Sequence, residues 1–260
     1  MTTPVDVHHV SEGPPDAPVL VLAHAIGASL RMWDPQANDL ARGFRVVRYD
    51  HRGHGASPTP AGPYSIADLG MDLLRLLDGL RVERAAVCGL SLGAMAAIWA
   101  ASHAPERVER LIVCCTIVRA ASATAWRERA AAVRRGGTAA VAELVIERWG
   151  YRGRDPAVQA LVREMLLATP AEGYAACCDA VASMDLEPDL PAITAPTLVV
   201  AGADDPAAPV AEAERIAGSI PGARTLVLDG AAHLANVDRP GAMTQAITDH
   251  LAALRTKERT

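Results

Sequence analysis

The sequence predicts a doubly wound α/β fold, in which a mostly parallel sheet carries an inserted helical cap. Three observations predict it: short apolar runs, helical patterns between them, and one long interval that contains no such run. Short runs rich in β-branched residues and bounded by turn residues are typical of strands buried on both faces, and therefore of a parallel sheet. Six segments have this character: 17–25, 44–50, 84–89, 110–115, 195–202 and 223–230.

Helical patterns lie between these runs. In segment 65–80, Ser65 and Asp68 have the spacing of a capping box, and six apolar side chains recur on one face: Ile66, Leu69, Leu73, Leu76, Leu77 and Leu80. The residues of segment 90–104 are small and apolar on nearly every side of the predicted helix, which indicates a helix packed inside the domain. Segment 241–254, near the end of the chain, has a further stripe of apolar residues on one face. Strands that alternate with helices predict a doubly wound sheet.

The interval from about Val118 to Pro191 breaks this alternation. It has helical periodicity, no strand-like run, and more Arg and Glu than its surroundings. A helical insertion between two strands of the sheet explains this change. We therefore predict a core made of residues 1–117 and 191–260, and a helical cap made of residues 118–190.

The composition excludes several classes of function. The 260 residues carry a net charge of −5 and include four Trp, four Tyr and one Phe, without a basic block, so we expect no nucleic-acid partner. The N-terminal segment has no secretory pattern and no apolar run is long enough to span a membrane, so we expect a cytoplasmic protein. The five cysteines lack metal-site spacing, and we predict no metal and no cofactor.

The segment GLSLG (89–93) joins a predicted strand to a predicted helix with almost no loop. It fits the G-x-S-x-G pattern of a nucleophile elbow, a strained turn that exposes a serine at the edge of the sheet. So tight a turn leaves no space for a side chain at Gly89 or Gly93. The positive end of the following helix favours a developing oxyanion. We therefore predict that Ser91 is a nucleophile.

A serine nucleophile needs a base and a carboxylate that orients the base. Two adjacent carboxylates, Asp204 and Asp205, follow the predicted strand 195–202, and His233 follows the strand 223–230. The chain order of serine, acid and histidine matches the order expected with this elbow. All three positions lie beyond strand ends, where open α/β sheets bind ligands. The residues alone leave the choice between Asp204 and Asp205 open.

Acyl transfer also needs donors to the oxyanion. The backbone N–H of Leu92, directly after the serine, is one predicted donor. The second is expected from the loop HAIGAS (24–29), and the N–H of Ile26 is the favoured group. His24 in the same loop is interpreted as a residue that orients the loop, because His233 already supplies the base.

With these motifs, the whole chain resembles the α/β-hydrolases, and within them the 3-oxoadipate enol-lactonases of aromatic-acid catabolism. The cap segment GYAACCDAV is the most informative part, because caps differ between substrate classes. The loop HAIG departs from the expected HSLG or NSLG but keeps its backbone donors. The resemblance is carried by RMWDPQ (31–36), FRVVRYDHRGHGAS (44–57), GPYSIADLG (62–70), CGLSLG (88–93), APERVERLIVC (104–114), GYAACCDAV (173–181), DLPAITAPTLVVAGADDPAAP (189–209) and GAAHLANVDRPGAMT (230–244).

The resemblance implies that Asp205 is the acid, because the family pattern G-x-x-D matches Gly202 to Asp205. It also implies the reaction, which opens 3-oxoadipate enol-lactone to 3-oxoadipate through an acyl-enzyme in the β-ketoadipate pathway. The partner would be a small lactone with a free carboxylate, so the pocket needs a cation or polar donors. The cap offers Trp126 with Arg127 or Arg129, and Arg148 with Trp149. We favour Arg148 and Trp149.

Other functions stay open at this point. A broad carboxylesterase or a cofactor-free perhydrolase would use the same triad, and a binding protein of this fold would keep the pocket without turnover. A carbon–carbon hydrolase would also share the triad, but the GYAACC segment argues against it. A dehalogenase would have Asp in place of Ser91 and is excluded. The sequence leaves the oligomeric state undetermined.

Overall fold

A computed structural model describes residues 2–256 of the chain, with side chains described through residue 254. It contains a seven-stranded sheet and ten α-helices within that range. The strands are β1 (His9–Glu12), β2 (Val19–Ala23), β3 (Arg45–Tyr49), β4 (Ala85–Leu90), β5 (Val108–Cys114), β6 (Thr197–Gly202) and β7 (Arg224–Leu228). The helices are α1 (Asp34–Leu40), α2 (Ile66–Gly79), α3 (Leu92–His103), α4 (Ala123–Gly136), α5 (Ala142–Arg148), α6 (Pro156–Ala168), α7 (Ala171–Ser183), α8 (Val210–Ser219), α9 (Ala235–Asp238) and α10 (Pro240–Thr256).

The sheet has the order β1-β3-β2-β4-β5-β6-β7. Neighbouring strands from β3 to β7 pair in parallel, and β1 pairs antiparallel with β3 at the edge. The six predicted strand segments correspond to β2–β7, so the predicted fold class is confirmed. The strand β1 was not predicted, because it is four residues long, half-exposed and without an apolar run. After β2 the chain adds β3 on one side of it and β4 on the other, so the strand order reverses between β2 and β4. Open α/β sheets bind ligands beyond the carboxyl ends of the strands at such a reversal.

The central strands are covered on both faces, because every residue of β4 and of β6 is buried. Helix α3 packs against β2, β4 and β5 and is itself mostly buried, as its uniformly apolar sequence predicts. The capping box that starts α2 is also confirmed. Ser65 Oγ accepts from the Asp68 N–H at 3.1 Å, and Asp68 Oδ2 accepts from the Ser65 N–H at 2.8 Å.

Helices α4, α5, α6 and α7 form the insertion between β5 and β6. The ends of this insertion meet at the edge of the core, where the Leu186 N–H donates to the Val118 carbonyl at 2.8 Å. This contact supports the division into a core and a cap, which stays a prediction. In the part of the chain that the structure describes, no helix has the length and hydropathy of a membrane span.

Candidate active site

Ser91 occupies the sharp reversal between β4 and α3. Its backbone has φ 54° and ψ −114°, a combination that L-residues rarely adopt. The flanking glycines make the reversal possible. A Cβ at Gly89 would lie 2.3 Å from the Gly93 carbonyl oxygen, and a Cβ at Gly93 would lie 2.3 Å from the Ala23 carbonyl oxygen. The predicted strand–turn–helix arrangement of the elbow is therefore present.

Hydrogen bonds to neighbouring strands hold this reversal in place. The Ser91 N–H donates to the Cys114 carbonyl at the end of β5, at 2.9 Å. The Thr116 hydroxyl donates to the Ser91 carbonyl at 3.0 Å. Both backbone polar groups of the serine are thus satisfied by residues that follow the neighbouring strand. The side-chain hydroxyl is left to face the pocket described below.

The structure brings Asp205 and His233 together behind that pocket. His233 Nδ1 lies 2.8 Å from Asp205 Oδ2, and both side chains are buried. Asp205 Oδ1 also accepts from the N–H groups of Ala207 and Ala208, at 2.8 and 3.1 Å. Because a carboxylate only accepts, Nδ1 carries a proton in this hydrogen bond, and Nε2 is the atom that a general base would use.

The neighbouring carboxylate, Asp204, does not take part in this arrangement. It forms an ion pair with Arg154 and is about half exposed. The predicted choice of Asp205 over Asp204 therefore agrees with the geometry. The catalytic roles of Ser91, Asp205 and His233 stay predictions, which this arrangement supports.

The cap contacts the histidine loop directly. The His233 N–H donates to the Trp149 carbonyl at 3.2 Å, and the two rings lie 5.1 Å apart. The buried Tyr151 hydroxyl accepts from the Leu234 N–H at 2.9 Å and donates to Asp238 at 3.0 Å. The backbone on both sides of the imidazole is thus tied to the segment that follows α5. The sequence analysis did not identify Tyr151, since no local pattern links it to a loop so far along the chain.

The two predicted oxyanion donors lie on adjacent loops at the winding reversal of the sheet. Ile26 follows β2, and Leu92 is the first residue of α3. The Gly93 N–H donates to the His24 carbonyl at 3.1 Å, which joins the two loops. Among the described residues, the N–H groups of Ile26 and Leu92 donate to no protein acceptor. They are therefore available to a ligand oxygen.

Three buried histidines, His24, His51 and His54, form hydrogen bonds in and around the loop 24–29, which carries the predicted oxyanion donor Ile26. We call this loop the oxyanion loop. His24 Nε2 accepts from the His51 N–H at 3.0 Å, and His24 Nδ1 donates to the Ala25 carbonyl at 2.7 Å. His54 Nε2 accepts from the Gly27 N–H at 2.9 Å, next to Ile26. Burial lowers the pKa of His54 to about 3, and it also lowers the pKa values of His24 and His51. All three are neutral near pH 7, so their ring nitrogens can accept as well as donate.

A pocket lies over the serine. Its wall includes all of the predicted oxyanion and substrate residues as well as Ser91 and His233. The lining residues are Ile26, Ser91, Leu92, Met95, Cys115, Thr116, Ile117, Trp126, Arg148, Trp149, Val181, Ala207, Ala208 and His233. Arg127 and Arg129, the alternatives weighed from the sequence, are not part of this wall. Arg148, Trp149 and Trp126 therefore all line the pocket, and their role in binding the substrate carboxylate stays a prediction.

The five cysteines are buried and free of disulfides. Burial raises the pKa of the Cys115 thiol well above its usual value, and the nearby Asp205 carboxylate adds to this effect. Cys115 lines the pocket, so it contributes a neutral apolar surface there. Within residues 2–256, no group of three or more His, Cys, Asp or Glu side chains could hold a metal ion.

The fold and the pocket define a class of protein. The family model of the α/β hydrolase fold matches residues 18–240, and the chain belongs to this family. The chain is 38% identical to 3-oxoadipate enol-lactonase 2 from Acinetobacter baylyi, a match that covers 94% of this chain and 92% of that protein. It is a hydrolase of this fold, and the resemblance predicted from the sequence is confirmed.

Solved structures give the same result. The enol-lactonase from Burkholderia xenovorans LB400 matches with a TM-score of 0.91 and 40% identity, over 95% of this chain and 96% of that one. A thermophilic esterase from Thermogutta terrifontis, solved with malate bound, matches with a TM-score of 0.90 and 32% identity, over 96% of this chain and 94% of that one. The chain is thus similar both to lactonases and to an esterase.

The buried histidines predict an acid-dependent loss of stability. An unfolded histidine binds a proton below about pH 6.5, whereas folded His54 stays neutral down to about pH 3. The free energy of unfolding therefore falls as the pH falls below about 6.5, by roughly 1.4 kcal/mol per pH unit for each such group. We expect His54→Gln to make this dependence shallower by about one proton. Chemical denaturation over a pH series measures it.

The matched control is His103→Gln, at an exposed position of α3. It makes the same substitution without removing a buried imidazole, so it measures the effect of the replacement itself. An identical dependence in the parent and in His54→Gln would contradict the neutral, buried state of His54.

Proposed function

We propose that the chain hydrolyses 3-oxoadipate enol-lactone to 3-oxoadipate. The observation that carries this proposal is the composition of one pocket wall. Ser91 and His233 lie on the core side of the wall, and the cation Arg148 lies on the cap side. A nucleophile and a cation that line the same pocket suit an ester substrate that carries a free carboxylate. The lactonase relatives support the same substrate class.

The proposed reaction begins with attack of Ser91 Oγ on the lactone carbonyl, while His233 Nε2 takes the hydroxyl proton. The N–H groups of Ile26 and Leu92 would stabilise the negative oxygen of the tetrahedral intermediate. Its collapse breaks the ring carbon–oxygen bond. The leaving enolate takes the proton from His233 and tautomerises to the ketone. Water, deprotonated by His233, then attacks the acyl-enzyme, and Ser91 leaves with the returned proton.

The substrate carboxylate is assigned to the Arg148 side of the pocket. The Arg148 guanidinium lies 5.9 Å from the centre of the Trp126 ring, and it forms no ion pair with a carboxylate of the described residues. Trp149, the next residue, also lines the pocket, and the centre of its ring system lies 5.1 Å from the centre of the His233 ring. The esterase relative with malate bound supports an anionic ligand in a fold of this type.

A broad carboxylesterase is the second candidate. The pocket wall is largely apolar, with Met95, Ile117 and Val181 among its members, and such a wall accepts uncharged acyl groups. The similarity to a thermophilic esterase favours this alternative. The two candidates differ in whether turnover depends on the substrate carboxylate.

The first experiment follows the ultraviolet decay of freshly generated 3-oxoadipate enol-lactone, with p-nitrophenyl acetate in parallel. We expect fast loss of the lactone with the parent protein and none above background with Ser91→Ala. Turnover of the nitrophenyl ester alone would contradict the lactonase proposal and favour the esterase. Inactivity on both substrates would favour a binding protein of this fold.

The adjacent aspartates provide a matched pair of variants. Asp205→Asn leaves the His233 ring in place but favours the wrong tautomer, so we expect kcat for the lactone to fall by roughly 10³- to 10⁴-fold. Asp204→Asn removes the same charge one residue away, at the exposed pair with Arg154, and is expected to change kcat by less than about twofold. Steady-state kinetics measures both. Equal losses in the two variants would contradict the assignment of Asp205.

Arg148→Gln tests the proposed carboxylate contact. Loss of a hydrogen bond to a charged group is expected to raise KM for the lactone by roughly 10- to 100-fold, while KM for the uncharged p-nitrophenyl acetate stays within about twofold of the parent value. The control is Arg152→Gln, which makes the same charge change at an exposed ion pair with Glu147. An unchanged KM for the lactone in Arg148→Gln would contradict the contact.

A further inference from the structure

A second pocket lies in the cap, on the other side of Trp126 and Arg148 from the catalytic pocket. It is lined by Ala121, Ser122, Ala125, Trp126, Arg129, Leu144 and Arg148. Trp126 and Arg148 belong to both pockets. We infer that this outer pocket is a separate binding site for the carboxylate of a short aliphatic acid.

The buried arginine of α4 carries this inference. Arg129 is only 6% exposed, and its Nε and Nη2 atoms are sealed from solvent and form no hydrogen bond among the described residues, although the Tyr174 side chain lies beside the guanidinium. The small exposed part of the side chain faces the outer pocket. No carboxylate of those residues forms an ion pair with it. A buried charge without a partner is costly, and one that lines a cavity can be compensated by an anionic ligand.

Two aromatic rings fix the position of this guanidinium. Its Cζ atom lies 4.9 Å from the centre of the Trp126 ring and 5.2 Å from the centre of the Tyr174 ring. These contacts stabilise the cation, but its Nε and Nη2 groups still form no hydrogen bond. Arg129 is therefore held at the pocket as a preorganised donor rather than as a mobile surface side chain.

A second cation and a helix end face the same cavity. Arg148 approaches the Trp126 ring to 5.9 Å. Partial burial and the positive charge of the nearby Arg129 both lower the pKa of Arg148. Ser122 caps the N-terminus of the 14-residue helix α4 and lines the pocket. Both features add positive potential on one side of the cavity.

The remaining wall determines the class of acid. Ala121, Ala125 and Leu144 are apolar, and Leu144 is 52% exposed at the rim. A hydrocarbon chain would cover these side chains while its carboxylate reaches Arg129. An inorganic anion would leave them uncovered. The site is thus suited to a short aliphatic carboxylate, and it does not depend on the proposed lactonase reaction.

Adipate is the probe for this site, with calorimetric titration of the Ser91→Ala protein. We expect adipate to bind, and the neutral chain 1,6-hexanediol not to bind. In the Ser91→Ala background, Arg129→Gln is expected to raise the Kd of adipate at least tenfold. The matched control is Arg127→Gln, which makes the same charge change at an exposed position of α4. It is expected to change the Kd of adipate by less than about twofold.

Arg148→Gln guards against misfolding of the buried variant. Arg148 is only partly buried, so this variant is expected to fold and to weaken adipate at least tenfold as well. Because Arg148 lines both pockets, this loss counts only together with a loss in a variant of the outer pocket alone. Several results would overturn the inference: no adipate binding to the Ser91→Ala protein, equal affinity in Arg129→Gln, or phosphate binding as tight as adipate. Ala125→Phe separates the two sites, because Ala125 lines the outer pocket and not the catalytic one. Unchanged adipate affinity in this variant would place adipate in the catalytic pocket and would overturn the inference, whatever the outcome of the lactone assay.

Discussion

Ser91 is held at φ 54° and ψ −114°, and the geometry of the site depends on this reversal. A conformation of this kind costs on the order of 1–3 kcal/mol, and it persists only where the surrounding structure fixes it. Here the end of β5 fixes the serine through the Cys114 carbonyl and the Thr116 hydroxyl. The absence of side chains at Gly89 and Gly93 lets the strand and the helix approach closely enough.

The same reversal organises the oxyanion loop. Because α3 begins directly after the serine, its Gly93 N–H reaches the His24 carbonyl and draws the loop after β2 against the elbow. The neutral ring of His54 then satisfies the Gly27 N–H from below. The neighbouring N–H of Ile26 is left without a protein acceptor. The groups around the Ile26 N–H are thus satisfied, and this donor stays available, as its predicted oxyanion role requires.

The cap holds the backbone around His233 in place and supplies positive charge to the pocket. The Trp149 carbonyl and the Tyr151 hydroxyl accept hydrogen bonds from the N–H groups of His233 and Leu234. The position of the imidazole therefore depends on the segment that follows α5. Arg129 and Arg148 carry positive charge without ion-pair partners among the described residues. The core therefore supplies the hydrogen-bonded elbow and the His233–Asp205 pair, and the cap supplies two cations at the pockets. This distribution of charge supports the proposed anionic substrate.

The sequence by itself determined the fold class, the triad candidates and their order, because these depend on local patterns. Buried parallel strands are continuous apolar runs, and the glycines around Ser91 mark a turn that only one backbone geometry allows. Edge strand β1 and the contacts of Tyr151, His54 and Arg129 were decided only by the tertiary structure. Their partners lie far along the chain, and a lone Tyr, His or Arg carries no local signal of what it will contact. Burial and the direction of each side chain exist only after the cap has packed on the core.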